Sequence, residues 1–388
     1  MKYRLVSLTL AYVILQVVFQ PLPFLTAQEK NPDAAEGGGV DENRLWDHPE
    51  EVTITEEELS FTREEFEHVR NQSVFVMARF DNGWVLMMSF FGIKAGIVNN
   101  WGIYVGVSDP EGNGYFYKYK IRNRDIQFSE DRLYVTDGDN IVRGGEGFYN
   151  FTIDIEGFSC NLTYLNILPE WKPGDGLDYY DEEKTAFDKR AVICPWANVQ
   201  GEMTVNGNTM DVAGEGFAEK QLTVNPFTKL NPLTYTLRLF SPPDVQDDER
   251  WHLGLLENYT HEDYGYDRLP RLNLAKGDDW IFTSRNYTVE AYDFRSHPSV
   301  PYKYPARIKI SCTENGYTLE GTYSSTHLFN ITDIIGELPK FLQNFVLLFM
   351  DRPVYYRCIG EFYGIVTFPS GEREFIRLLG PYEYIIVK

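Results

Sequence analysis

The chain has 388 residues, a formal net charge of −21 and 15% aromatic residues, with 26 Tyr and 26 Phe. The acidity excludes electrostatic docking on nucleic acid or on an anionic membrane. The length suits two domains with substantial cores, and the aromatic content favours pleated, half-buried sheets.

Residues 1–27 have the order of a secretory signal. Lys2 and Arg4 precede an apolar run from Leu5 to Phe19, and Leu25-Thr26-Ala27 offers small residues for cleavage. This reading places the protein outside the cytoplasm; an uncleaved segment would hold it at the cell surface. Residues 28–60 are acidic and Gly-containing, and read as a flexible linker. Thr62 with Glu65 three positions later has the pattern of a capping box.

Strand-like runs rich in Val, Ile, Phe and Tyr then follow from Ser73 to Phe80, Trp84 to Phe91, Gly102 to Ser108 and Gly114 to Ile121. Asp81-Asn-Gly83, Asn99-Asn100 and Asp109-Pro-Glu-Gly112 separate them as turns. Further strands are expected at Asp125–Phe128, Arg132–Val135, Phe148–Ile155 and Ser159–Ile167, and a polar loop from Pro169 to Lys189. The stretch from Cys194 to Lys220 reads as strand, Asn206-Gly207 turn, strand, with Gly214 and Gly216 marking a bulge or corner. A second unit starts after the Pro-containing junction at Asn225–Pro232. Its strands are expected at Tyr235–Phe240, Trp251–Glu257, Trp280–Arg285, Thr288–Phe294, Ala306–Cys312 and Tyr317–Thr322. Between Thr332 and Met350 apolar residues recur at helical spacing, predicting a helix packed on the sheet; a membrane-facing or lid role is the alternative.

The end of the chain repeats the middle. Gly201, Thr204, Gly207, Gly216 and Glu219 find counterparts in Gly364, Thr367, Gly371, Gly380 and Glu383. The domains are therefore drawn at 61–224 and 225–388. Four cysteines allow three pairings, and the repeat favours Cys160–Cys194 and Cys312–Cys358. Behind a signal peptide, the sequons at Asn71, Asn150, Asn161, Asn258, Asn286 and Asn330 suit a glycosylated exported protein.

The order of strands, with Asp81-Asn-Gly-Trp84, Gly201-Glu-Met-Thr-Val, Gly214-Glu-Gly-Phe217, Gly364-Ile-Val-Thr-Phe and Gly380-Pro-Tyr-Glu383, resembles the tandem lipocalin-like superfamily. That group holds carotenoid hydratases (hydroxyneurosporene synthases), AttH-type proteins, Svf1-like survival factors and fungal Diels–Alderase-like pericyclases. The resemblance covers most of residues 60–388. It implies an all-β chain of two lipocalin-like antiparallel β-barrel domains in tandem, with a short helix near the C-terminus. It also implies a hydrophobic small-molecule pocket in or between the barrels.

Chemistry is less legible. The run Phe217-Ala-Glu-Lys-Gln-Leu222 lacks the His and Trp that the hydratase branch carries there, so Glu219 is the one candidate acid if the protein is an enzyme. Glu219 and Lys220 read alternatively as a surface ion pair. Trp84, Trp101, Trp196, Trp251 and Trp280 are candidates to line a pocket, with ordinary core packing as the alternative. His261-Glu262-Asp263 reads as an exposed loop rather than a metal site; Trp251-His252, at the start of an apolar run, reads as a core histidine, with a pocket-facing one as the alternative; and Asp263-Tyr-Gly-Tyr-Asp267 reads as a Tyr-rich turn, with acid and hydrogen-bond donor in a pocket as the alternative. No metal or cofactor is expected. The functional expectation is a binder or carrier of a lipid or isoprenoid, with peripheral membrane contact as an option. The alternatives are a hydratase, cyclase or pericyclase of the same fold, or a structural surface protein with both barrels filled by side chains.

Overall fold

The computed structural model describes residue 49 and residues 52–388, apart from 96–97, 227, 334, 337–339, 349 and 350. The signal segment, and the linker as far as residue 48, lie outside the described residues. The first unit holds β1 (Val69–Phe80), β2 (Val85–Ala95), β3 (Val98–Ser108), β4 (Gly114–Ile121), β5 (Gln127–Phe128) and β6 (Leu133–Thr136). It continues with β7 (Ile141–Gly145), β8 (Phe148–Ile155), β9 (Phe158–Asn166), β10 (Leu177–Tyr179), β11 (Phe187–Val205) and β12 (Asn208–Asn225). The second holds β13 (Leu233–Phe240), β14 (Trp251–Tyr259), β15 (Arg268–Lys276), β16 (Asp279–Ser284) and β17 (Tyr287–Ser296). It ends with β18 (Lys303–Glu314), β19 (Tyr317–Asp333), β20 (Pro353–Thr367) and β21 (Arg373–Val387).

Two antiparallel sheets result, ordered β4-β3-β2-β1-β12-β11-β9-β8-β7-β6-β5, with β10 beside β11, and β16-β15-β14-β13-β21-β20-β19-β18-β17. The topology repeats: each unit's first strand pairs with its last, Val69 opposite Asn225 in one and Leu233 opposite Ile386 in the other. Each sheet curls round its own core. Val74, Val105, Leu133, Tyr149 and Ile193 meet in the first. Leu237, Leu274, Ile310, Tyr323 and Tyr382 meet in the second.

The hairpin between β11 and β12 turns on Asn206 (φ 50°) and Gly207 (φ 83°), the left-handed pair that a two-residue connection requires. Gly214 and Gly216 do not mark a bulge. The register is unbroken there, and the irregularities fall on β11 between Ala191 and Ala197. The glycines permit close approach: a Cβ at Gly214 would stand 2.2 Å from the Arg79 carbonyl oxygen, and one at Gly216 2.5 Å from the Tyr164 ring.

Four further expectations are corrected. Residues 52–60 are not a free linker, because Val52, Leu59 and Phe61 are buried, with Leu59 and Phe61 inside the first core. The capping box is Thr55 with Glu58, starting the short helix α1 (Glu56–Leu59), while Thr62 only caps a turn by accepting from the Glu64 N–H. The cysteines are all free and buried. Cys160 stands opposite Met203, and the stretch of β11 from there to Cys194 spans roughly 30 Å. Cys312 and Cys358 face Leu319 and Leu328, separated along β19 by roughly the same span, far beyond disulfide reach. The predicted C-terminal helix is short: β19 runs to Asp333, and α2 covers only Lys340–Val346. Phe341, Leu347 and Leu348 are exposed rather than packed on the sheet.

Of the sequon asparagines, Asn161 and Asn286 are exposed, and Asn71, Asn150 and Asn330 are half-buried. Asn258 is buried and accepts a 2.8 Å hydrogen bond from the Thr234 hydroxyl, which leaves no room for a glycan in the folded chain.

Candidate functional site between the two sheets

Strands β1, β12, β13 and β14 are buried on both faces. One face of each fills its own barrel. The other meets the opposite sheet, because side chains alternate along a strand. Met77, Met87, Trp171, Trp196, Phe217, Phe240, Ala275 and Phe329 form this middle layer. Trp280 packs against it, with its ring 5.9 Å from that of Trp171.

The same layer holds buried charges. Arg190 donates to Asp188 at 2.6 Å and to Glu219 at 2.8 Å. Gln221 and Thr223 donate to the other Asp188 oxygen at 3.0 and 2.9 Å. Arg238, from the second unit, lies 4.0 Å from Glu219 and 3.8 Å above the Phe217 ring. Arg271, also from the second unit, pairs with Asp178. A second cluster joins Arg79 to Glu215 at 2.7 Å and to the Ser241 carbonyl at 2.8 Å, while the Trp196 indole donates to Glu215 at 3.0 Å. These contacts tie the two units together. Burial lowers the Arg238 pKa to about 10, Glu219 offsetting part of the penalty. It also raises Glu215, the desolvation outweighing Arg79. Arg190 is raised because Asp188 and Glu219 together overcome its burial.

Glu219 is therefore neither on the surface nor paired with Lys220. The two point to opposite faces of β12, Glu219 into the middle layer and Lys220 into the first barrel. With one Glu219 oxygen on Arg190 and the other facing Arg238, the carboxylate acts here as a clasp between the units.

His252 is the group that sequence reasoning undervalued. It is fully buried, stacked between Trp196 (5.7 Å) and Phe240 (5.0 Å). Burial, with Arg238 adding to it, depresses its pKa to about 3, so the ring is neutral. Its Nδ1 lies 3.1 Å from the Leu239 carbonyl. The proton therefore sits on Nδ1, and Nε2 is a bare acceptor with no partner among the described residues. The Trp280 indole N–H is also buried without a partner among the described residues. His252, Ala275 and Trp280 stand in register across β14, β15 and β16, so the two orphaned groups belong to one row roughly 10 Å long. Trp-His adjacency at the start of β14 was the one available signal.

The tryptophans do not converge. Trp196 and Trp280 share the middle layer. Trp101 is in the first core against Phe61, and Trp84 stacks on Tyr115 at its edge. Trp251 lies in the second core, donating to Glu374 at 2.8 Å. His261 caps the short turn before Gly265, and Tyr264 of that turn donates to Asn225.

A family model, the Svf1 family, matches residues 49–356. The chain belongs to the Svf1 family. Solved structures support the tandem lipocalin-like fold of this Svf1-family chain. An AttH protein from Nitrosomonas europaea aligns at TM-score 0.57 and 13% identity, over 82% of this chain and 92% of that one. CghA with Sch210972 aligns at 0.60 and 9%, over 88% and 98%. Kievitone hydratase from Nectria haematococca aligns at 0.54 and 12%, over 82% and 89%. No curated protein shows a significant match to the chain. At these identities the structures establish the fold alone.

Proposed function

We propose that this Svf1-family protein binds and carries a hydrophobic small molecule, of lipid or isoprenoid type, in the layer between its two barrels. One observation carries the reading: a buried aromatic layer holds an acceptor at His252 Nε2 and a donor at Trp280 Nε1, both without partners among the described residues. Buried polar groups are nearly always satisfied, and a ligand with one hydroxyl and one carbonyl or ether oxygen would satisfy both. Both barrel interiors are packed with large side chains, as a purely structural protein would also have, so the binding reading rests on this layer. The exposed Phe341, Leu347 and Leu348 would let the carrier touch a membrane surface.

Native mass spectrometry of protein purified from its own host, followed by organic extraction, tests this. One co-purifying hydroxylated lipid or polyene, lost in His252→Ala, is the expected result. An empty protein that also ignores a library of such molecules overturns it. The enzyme reading draws support from the fold shared with kievitone hydratase. It requires the extracted molecule to return altered after incubation.

Export belongs to the same proposal and rests on residues 1–27 and the exposed sequons. Four buried thiols, with Cys160 and Cys358 pushed up to about 12 by burial, do not add to it. N-terminal sequencing and glycosidase treatment decide: an uncleaved chain whose mobility does not shift removes export.

A further inference from the structure

Lys220 is buried inside the mouth of the first barrel, with only 3% of its surface exposed. Its Nζ donates a single hydrogen bond, 3.2 Å long, to the Gln221 carbonyl and sits 4.5 Å from the centre of the Phe61 ring. Among the described residues no carboxylate pairs with it, and the charges it feels are the cations Lys189 and Arg70. Desolvation first, then those cations, lower its pKa to about 7, so much of the amine is unprotonated at neutral pH.

A cavity of about 390 Å³ opens beside it, lined by Glu57, Glu58, Phe61, Glu130, Lys189 and Lys220. Glu64 also lines it, so carboxylates outnumber amines and an anionic ligand would be repelled. Glu58 is already engaged with Lys172 at 2.7 Å, and Glu57, Glu64 and Glu130 face solvent. The arrangement suits a neutral electrophile: a buried amine without a counter-ion beside an aromatic ring, with carboxylates at the rim.

We propose that the mouth of the first barrel takes an uncharged aldehyde, which Lys220 captures reversibly as an imine. The Nζ lone pair adds to the carbonyl carbon, and the carbonyl π pair moves to oxygen, which takes up a proton. The carbinolamine then loses the remaining nitrogen proton and expels its hydroxyl as water, with rim carboxyls passing the protons. One C=N bond forms and one water leaves, with no change of oxidation state. This site is separate from the layer around His252, and neither depends on the other.

The test treats the full chain at pH 7 with 3-phenylpropanal and sodium cyanoborohydride, which fixes imines, and maps modified lysines by peptide mass spectrometry. Lys220 is expected to label at least about tenfold faster than the solvent-exposed lysines. The preference over the exposed lysines should shrink as the pH rises towards 10, where their amines also lose their protons. Lys220→Arg should lose that label alone, and the preference should vanish in urea. Labelling of Lys220 no faster than the others, or equally fast with the anionic probe glyoxylate, overturns the proposal. The wild-type map suffices for this even if the variant fails to fold.

Discussion

The two barrels use the same closing hairpin to different ends. In the repeat, Glu219-Lys220 of β12 corresponds to Glu383-Tyr384 of β21. Each glutamate meets an arginine of the preceding strand, Arg190 at 2.8 Å and Arg357 at 2.7 Å. Arg190 is shared with Asp188 and faces the second unit, whereas Arg357 bonds its own neighbours Asn330 and Thr332. On the barrel side, Tyr384 packs with Tyr235 and Tyr356 in an aromatic core, while Lys220 faces a cavity beneath Phe61. One inherited scaffold thus carries a structural pair in both copies, and the neighbouring position is free to become packing in one and a reactive group in the other.

Removing the arginines tests this difference most strongly. Arg190→Ala removes the one cation that hydrogen-bonds both Asp188 and Glu219, and should cost about 3–5 kcal/mol in urea denaturation. Arg357→Ala, at a more open pair, should cost less; equal losses would mean the shared layer adds nothing. Lys220→Met should act in the opposite direction. It removes an unpaired buried amine and should raise stability by about 1–3 kcal/mol at pH 7. Unfolded Lys220 holds its proton up to about pH 10.5, and folded Lys220 only to about 7. Wild-type stability therefore gains from this group as pH rises through that window, and the advantage of Lys220→Met should shrink towards pH 10.

His252 acts at the acid end. Its unfolded pKa is 6.5 and its folded value about 3, so between them the unfolded state binds the extra proton. Each unit of acidification in that window should cost up to about 1.4 kcal/mol, and His252→Gln should flatten the slope relative to wild type. An unchanged slope would place the ring in contact with solvent. The smallest expected effect is none: dithiothreitol should leave the melting midpoint unchanged, because the four thiols are free. A fall of several degrees would restore a disulfide.

Legibility followed locality. The Asn206-Gly207 hairpin was readable because only a left-handed pair makes that turn, and Asn315-Gly316 repeats it with φ of 51° and 82°. Strand β15 is absent from the expected strands, and Pro270 with the charges at Arg268 and Arg271 breaks its apolar pattern. In the sheet Pro270 pairs only with Glu257 of β14, on a stretch that β16 does not reach, an edge position of the kind where proline is tolerated. The disulfides failed because regular spacing in sequence placed the cysteines on strands far apart in register.

The sequence by itself determined the all-β architecture, the internal repeat and the turns, since alternation and positive-φ residues act over a few positions. It also determined that Glu219 and Lys220 point to opposite faces once β12 is a strand. Only the tertiary structure decided that both faces are buried, one by its own barrel and one by the second sheet. That covering surface comes from residues far away in the chain. It turns an apparent surface ion pair into a clasp across the two units and a lysine without a counter-ion, and no local pattern encodes it.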